Sequence, residues 1–240
     1  METGNLMQEH QSSSERWKDD RELFDLMRTR LFSAVVGDIL DKLGYEHQFL
    51  PQAIKPIDVE MVIAGRAMTV LEADYFADAG HNALSRKTFG LLFEAIDDLR
   101  EDEVYVATGA SLRYALWGGL TSTRASKLCA AGAILDGFHR DTQEILDRGF
   151  PTFSRGSYAQ DQAPRGKVVD WRVPVELGGV RICPGDIVFG DRDGVLVVPR
   201  AVESQAIVLA LEKVETESKV RVAIEAGMST VEVYEKFGVM

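Results

Sequence analysis

WGGLTSTRASKLCAAGAILDGFHRDTQEILDRGFPTF, residues 117–153, alternates between helix and strand signals with almost no linker. Gly118-Gly119 opens a run that reads as helix to about Ala131. Ala133-Ile134-Leu135 is a short apolar run and predicts a buried strand. Asp141 opens a second helix that stops near Gly149, and Pro151 to Phe153 predicts another short strand. Helix and strand in alternation predict strands covered by helices, hence an α/β fold.

Upstream, Leu23, Phe24, Leu26 and Met27 fall at helical spacing between Asp20 and Arg30. A second helix is predicted over 33–43, with Ser33 as N-cap and Gly44 as stop. Val59 to Leu71 reads as strand with a bulge or bend at Gly65, Ser85 to Leu99 as helix, and Val104 to Val106 as a short strand. Downstream, 167–175, 180–182, 186–190 and 194–198 predict four short strands, separated by turns at Gly178-Gly179, Pro184-Gly185 and Asp193-Gly194. After Pro199 a long amphipathic helix carries Ile207, Leu211 and Val214 on one stripe, and a last helix spans roughly 230–237. Residues 1–17 read as a flexible tail, and 18–240 as one α/β domain with helical arms at both ends.

Composition narrows the function classes. At 45% hydrophobic over 240 residues the chain can bury a sizeable core. Its formal charge of −11, with no basic stripe, argues against nucleic acid and against anionic lipid as partners. No apolar run is long enough for a membrane span or a secretory signal. The two cysteines, Cys129 and Cys183, form no metal or disulfide framework and suit a reducing, cytoplasmic setting.

The chemistry concentrates where the two helices start. Gly118-Gly119-Leu120-Thr121 offers free backbone N–H groups to an anion such as a carboxylate. Arg140 brings a planar fork of donors for a carboxylate or an enolate oxygen. Asp141 and Glu144 are hard oxygen donors suited to Mg²⁺ or Mn²⁺, while Asp-x-x-Glu is equally the pattern of a capping box. His139 reads either as a general acid or base or as a satisfied structural histidine, and Asp136 as a turn residue at a strand end. Residues 158–161 either line the site, with Arg165 nearby to meet a distal carboxylate, or form an ordinary surface loop.

Gly119, twenty residues, Arg140-Asp141, two residues and Glu144 resemble the signature of the RraA-like family. That family includes class II aldolases acting on 4-hydroxy-4-methyl-2-oxoglutarate and the regulator of ribonuclease E activity. Gly178-Gly179-Val180, Pro184-Gly185-Asp186 and Asp191-Arg192-Asp193-Gly194-Val195 resemble its C-terminal strands, so the likeness runs from about Ser33 to Arg200. The resemblance implies a β/β/α swivelling-type fold, assembled as a homotrimer or hexamer. It implies a metal-dependent lyase that cleaves 2-oxo acids to pyruvate and decarboxylates oxaloacetate. The amides of Gly118, Gly119, Leu120 and Thr121 would hold the pyruvate carboxylate, and Arg140 the 2-oxo group. Asp141 would ligate Mg²⁺ or Mn²⁺, and Glu144 would hold its waters. The alternative is a non-catalytic protein that regulates a ribonuclease. Two departures stand out: Gly119 where relatives often carry Glu, and Phe138-His139 in place of small or aliphatic residues.

Overall fold

The computed structural model of the chain describes residues 16–75 and 83–239. Helices α1 (Asp20–Arg30) and α2 (Ser33–Lys42) come first. Strands β1 (Lys55–Pro56) and β2 (Ile63–Asp74), helix α3 (Leu92–Asp97) and strands β3 (Glu103–Thr108) and β4 (Ala115–Trp117) follow. Then come α4 (Gly119–Lys127), β5 (Gly132–Leu135), β6 (Phe138–His139), α5 (Thr142–Arg148) and β7 (Thr152–Ser154). Strands β8 (Gly166–Trp171), β9 (Val175–Leu177), β10 (Val180–Ile182), β11 (Ile187–Gly190) and β12 (Val195–Val198) precede α6 (Glu203–Glu225) and α7 (Thr230–Phe237). The chain divides into two compact units, residues 47–201 and the helical segments on either side of them.

The 47–201 unit is built on one mixed sheet in the order β1-β7-β5-β3-β2-β11-β12, with β8 pairing the far half of β2. β2, β3, β5 and β7 run parallel, and β1, β8, β11 and β12 join antiparallel. β3 is buried on both faces, which its continuous apolar run requires. Tyr105 and Ala107 point into one apolar cluster, shared with Leu92 and Ala95 of α3, Ala125 of α4 and Ile145 of α5. Val104 and Val106 point into the other, shared with Val175 and Leu177 of β9 and Val180 and Ile182 of β10. The period of two along a strand thus sorts one sequence run into a helical layer on one face and a β-hairpin layer on the other. The β9–β10 turn is Gly178-Gly179, both at positive φ, the requirement of a two-residue hairpin turn.

In the helical unit, α1 buries Leu23, Phe24 and Met27, and α6 buries Ala206, Ile207, Ala210, Leu211 and Val220. Lys213 pairs with Asp38 of α2, and Arg16 with Glu212 at 3.1 Å. Arg16 therefore belongs to ordered structure; residues 1–15 of the expected tail lie outside the described residues. No described helix is long and apolar enough to cross a membrane.

Local structure departs from the sequence expectations at definable places. The helix expected over 85–99 is helical only at 92–97, because Gly90 bridges to Val168 and Leu91 N–H bonds to the Val168 carbonyl at 2.9 Å. Sheet pairing there outcompetes the helical periodicity. Ser33 is the first helical residue rather than the cap, which is Phe32. Gly65 makes no bulge; a Cβ there would sit 2.5 Å from the Asp102 carbonyl, and the register shift falls at Leu71/Glu72. Cys129 turns left-handed at φ 60° after α4 ends at Lys127, short of the expected Ala131. The strand expected over 167–175 is two strands, β8 and β9.

Candidate active site

Two short parallel strands set the site. β4 pairs with β6, and the Arg140 N–H bonds to the Trp117 carbonyl at 2.9 Å. The chain leaves both strands at the same edge, so Gly118-Gly119 and Arg140-Asp141 emerge side by side. Trp117 is locked behind them: its Nε1 donates to Ser122 Oγ at 2.7 Å, and its ring stacks on Phe150.

Asp141 occupies the N-cap position of α5 but makes no side-chain cap bond. The capping-box reading is therefore not what the geometry shows. Its backbone is left-handed at φ 56°, ψ 40°, a conformation Asp tolerates better than most residues. This turn aims the carboxylate away from its own helix and at the start of α4, where Oδ2 accepts from the Gly119 N–H at 3.1 Å. Strained backbone of this kind collects at functional sites, where surrounding structure holds it.

The glycine pair makes the approach possible. A Cβ on Gly118 would stand 2.6 Å from Asp141 Oδ2, and one on Gly119 only 1.9 Å from Glu144 Oε2. Glu144 is exposed, and its carboxylate has no hydrogen-bond partner among the described residues. Thr121 Oγ1 is committed to Gly118, accepting from its N–H at 2.9 Å. The N–H groups of Leu120 and Thr121 meet no acceptor among the described residues, as expected for the first turn of a helix.

Arg140 is half-exposed, with Nη1 3.1 Å from Asp161 Oδ1 and Nε 3.8 Å from Asp141 Oδ2. Arg140, Asp141 and Thr142 line one wall of an open cavity of about 360 Å³, and Ser157, Tyr158 and Ala159 the other. Of residues 158–161, Tyr158 and Ala159 line the cavity, and Gln160 and Asp161 are not among its lining residues. Arg165 does not reach the cavity, because its Nη1 donates to the carbonyls of Asp161 and Ala163 within its own loop. Asp136 is engaged by Arg155 at 2.7 Å, a strand-end anchor.

His139 is 3% exposed and points inward. Its Nδ1 lies 2.7 Å from Ser154 Oγ and its Nε2 3.0 Å from Thr142 Oγ1, so both ring nitrogens are occupied. Burial lowers its pKa below the ordinary histidine value, keeping the ring neutral at pH 7. The ring ties α5 to β7 behind Arg140-Asp141 and reaches the cavity wall only through Thr142 Oγ1.

The RraA-like family model, described as aldolase/RraA, matches residues 33–197. The chain is 31% identical over 207 residues to protein DlpA of Legionella pneumophila, covering 83% of this chain and 31% of that protein. The chain therefore spans about a third of that relative's length. It is 31% identical over 161 residues to the 4-hydroxy-4-methyl-2-oxoglutarate aldolase of Thermus thermophilus, covering 67% of this chain and 90% of the aldolase. Among solved structures, RraAS2 of Streptomyces coelicolor, an unusual member of the RNase ES inhibitor RraA protein family, superposes with a TM-score of 0.74 at 23% identity, over 85% of this chain and 99% of that one. The last likeness establishes the fold, the β/β/α swivelling type with terminal helices. With the family match covering the whole 117–153 segment and most of the sheet, the chain belongs to the RraA-like (aldolase/RraA) family.

Proposed function

We propose that this chain is a divalent-cation-dependent carbon–carbon lyase on 2-oxo acids, cleaving 4-hydroxy-4-methyl-2-oxoglutarate-like substrates to pyruvate and decarboxylating oxaloacetate. The observation that carries the reading is Asp141, bent into a left-handed turn that presents its carboxylate at an open cavity beside Arg140 rather than capping its helix. The donor set fits Mg²⁺ or Mn²⁺. No cluster of three or more His, Cys, Asp or Glu converges among the described residues, and Mg²⁺ is ordinarily held by one or two carboxylates plus waters. Asp141 would hold the cation through the oxygen not bonded to Gly119, and Glu144 would orient its waters. When bound, the cation supplies Lewis-acid polarisation of the 2-oxo group.

The chain's own residues do the rest. The free amides of Leu120 and Thr121 bind the substrate carboxylate at the start of α4. Arg140 donates to the 2-oxo oxygen. Breaking the C3–C4 bond sends its electron pair into an enolate of pyruvate, and the guanidinium stabilises that charge as it develops. The 4-hydroxyl loses its proton as the C4 carbonyl forms. Both nitrogens of His139 are engaged, so that proton passes to water in the open cavity, and His139 acts by positioning Asp141. Oxaloacetate reaches the same enolate by losing CO₂.

The test is pyruvate release from oxaloacetate and from a panel of 4-hydroxy-2-oxo acids, with Mg²⁺ or Mn²⁺ and after EDTA. Cation-dependent turnover that Asp141→Ala abolishes supports the reading. Turnover that survives in Asp141→Ala refutes the assignment of Asp141. The non-catalytic alternative, a ribonuclease regulator, would show no turnover with any of these acids.

A further inference from the structure

We infer that Glu72 is a positioning residue of this site: held inside the apolar core, it fixes through Gln162 the cavity wall formed by Ser157, Tyr158 and Ala159. This role rests on the lyase reading of the same site and belongs to a carboxyl group that the reaction steps do not use.

Strand β2 turns Met68, Val70 and Glu72 onto one face, and the first two belong to the apolar cluster under the helices. Glu72 follows them into that layer and is 2% exposed. Its Oε2 accepts from Gln162 Nε2 at 2.9 Å, while its Oε1 meets no hydrogen-bond partner among the described residues. The hydroxyl of Tyr105, buried in the same layer, has none either. A buried carboxyl with one bond costs stability, so packing does not explain its presence. What it touches does. Gln162 closes the loop that carries the wall. The Tyr158 N–H donates to the His139 carbonyl at 2.8 Å and the Ala115 N–H to the Gln160 carbonyl at 2.8 Å, which tie the loop to β6 and β4. The Gln162 carbonyl receives the Gly166 N–H at 3.0 Å, where β8 begins, and the Gln162 side chain reaches β2 through Glu72. Of these ties, the last alone joins two side chains, and it alone can titrate. Asp161, next to Gln162, faces Arg140 Nη1 at 3.1 Å, so a shift of the anchor also reaches the guanidinium.

Among the described residues, no cation bonds to Glu72. Tyr105 on β3 and Tyr114 before β4 face it as neutral phenols. Asp74 on β2 is occupied by the Ser111 N–H, Arg113 and the Tyr114 hydroxyl, and Lys167 on β8 by the Ser85 and Lys87 carbonyls. Burial accordingly pushes the Glu72 carboxyl up to about 8. Protonated, Glu72 leaves the core neutral and the wall closed over it. Ionised, it is a buried charge without a counter-charge, relieved by water that enters where the loop lifts. The closed wall holds a proton that a hydrated Glu72 releases, so rising pH weakens the closed arrangement.

The experiment follows pyruvate release from 4-hydroxy-4-methyl-2-oxoglutarate and from oxaloacetate in Mg²⁺ across about pH 6 to 9, with two variants. Gln162→Met keeps the bulk and removes the donor; it should raise KM about tenfold with a smaller change in kcat, the scale on which a displaced binding wall acts. Glu72→Gln keeps an acceptor for Gln162 and cannot ionise; at pH 7 it should match the wild type. Between pH 7 and pH 9 the wild-type kcat/KM should fall by about tenfold relative to Glu72→Gln, since pH 9 lies about one unit above the Glu72 value. Wild-type kinetics in Gln162→Met, or parallel pH profiles for the wild type and Glu72→Gln, overturn the inference and leave the lyase reading standing. Pyruvate from neither acid sinks the lyase reading itself. The wall is then read by amide hydrogen exchange over residues 156–163. Protection lost in Gln162→Met, and lost with rising pH in the wild type but not in Glu72→Gln at the same pH, supports the role of Glu72. Equal protection in all three proteins refutes it.

Discussion

Asp141 carries two demands that a single carboxylate meets only because of its backbone. In a helical or extended conformation it would cap α5. At φ 56° it reaches Gly119 instead, leaving one oxygen for a ligand. The glycines opposite are part of the same arrangement. This chain has Gly at position 119, and the Glu144 carboxylate fills the space that a side chain there would take. Gly119→Ala should leave the fold intact, since the far end of Glu144 can swing away. It should weaken Mn²⁺ binding by roughly tenfold, the usual cost of disturbing a metal's supporting shell, as titration calorimetry would show. His139→Ala removes one partner of Ser154 and the ring partner of Thr142. It should cost about 1–3 kcal/mol in urea unfolding and lower aldol cleavage and decarboxylation by the same factor. A larger loss in cleavage alone would return His139 to the role of base.

Glu72 gives a prediction in pH. Burial pushes its carboxyl from the ordinary 4.5 up to about 8, so the folded chain holds a proton that the unfolded chain releases. Its contribution is therefore fully present below about pH 4.5 and is lost progressively as pH rises toward 8. Glu72→Gln keeps a partner for Gln162 and removes that slope. The variant should gain on the wild type by a few kcal/mol (order of magnitude) between pH 5 and pH 8. A stability gap between the two proteins that does not change with pH would mean Glu72 is already ionised.

At the scale of elements, the site depends on a pairing of very short strands. β4 and β6 have three and two residues, too short to announce themselves by alternation. Yet their parallel register is what brings Gly118 beside Arg140, twenty-two positions away in the chain. The β9–β10 hairpin is the opposite case, because Gly178-Gly179 names its turn in the sequence. Gly178 has φ 60°, and a Cβ there would stand 2.2 Å from Pro51 Cγ. Gly178→Ala should lower stability by about 1–3 kcal/mol from backbone strain and overlap together, measured as a fall in urea midpoint at unchanged slope. The helix expected over 85–99 failed for the opposite reason: the decisive interaction at Gly90 is a bridge to Val168, far away in sequence.

At the scale of the molecule, a chain of net charge −11 presents a cavity in which one arginine faces carboxylates. Binding of the proposed dication there should appear in stability as well as in activity. Millimolar Mg²⁺ or Mn²⁺ should raise the Tm of the wild type, by mass action on the folded state, and Asp141→Ala should lose the rise. An equal rise in both proteins would place the cation elsewhere.

The sequence alone determined the α/β class, the hairpin and the terminal helices, and it nominated Gly118-Gly119, Arg140, Asp141 and Glu144 as candidates. Each is written in local signals: apolar periodicity, turn glycines and a fixed spacing. Only the tertiary structure decided what those residues do with one another. It turned Asp141 from cap to cross-helix acceptor, faced His139 inward, folded Arg165 onto its own loop and set Asp161 against Arg140. The physical reason is that side-chain direction follows from backbone torsion and from long-range pairing. Neither the left-handed turn at Asp141 nor the anchoring of residues 160 and 162 to distant strands leaves a mark in the local pattern of residues.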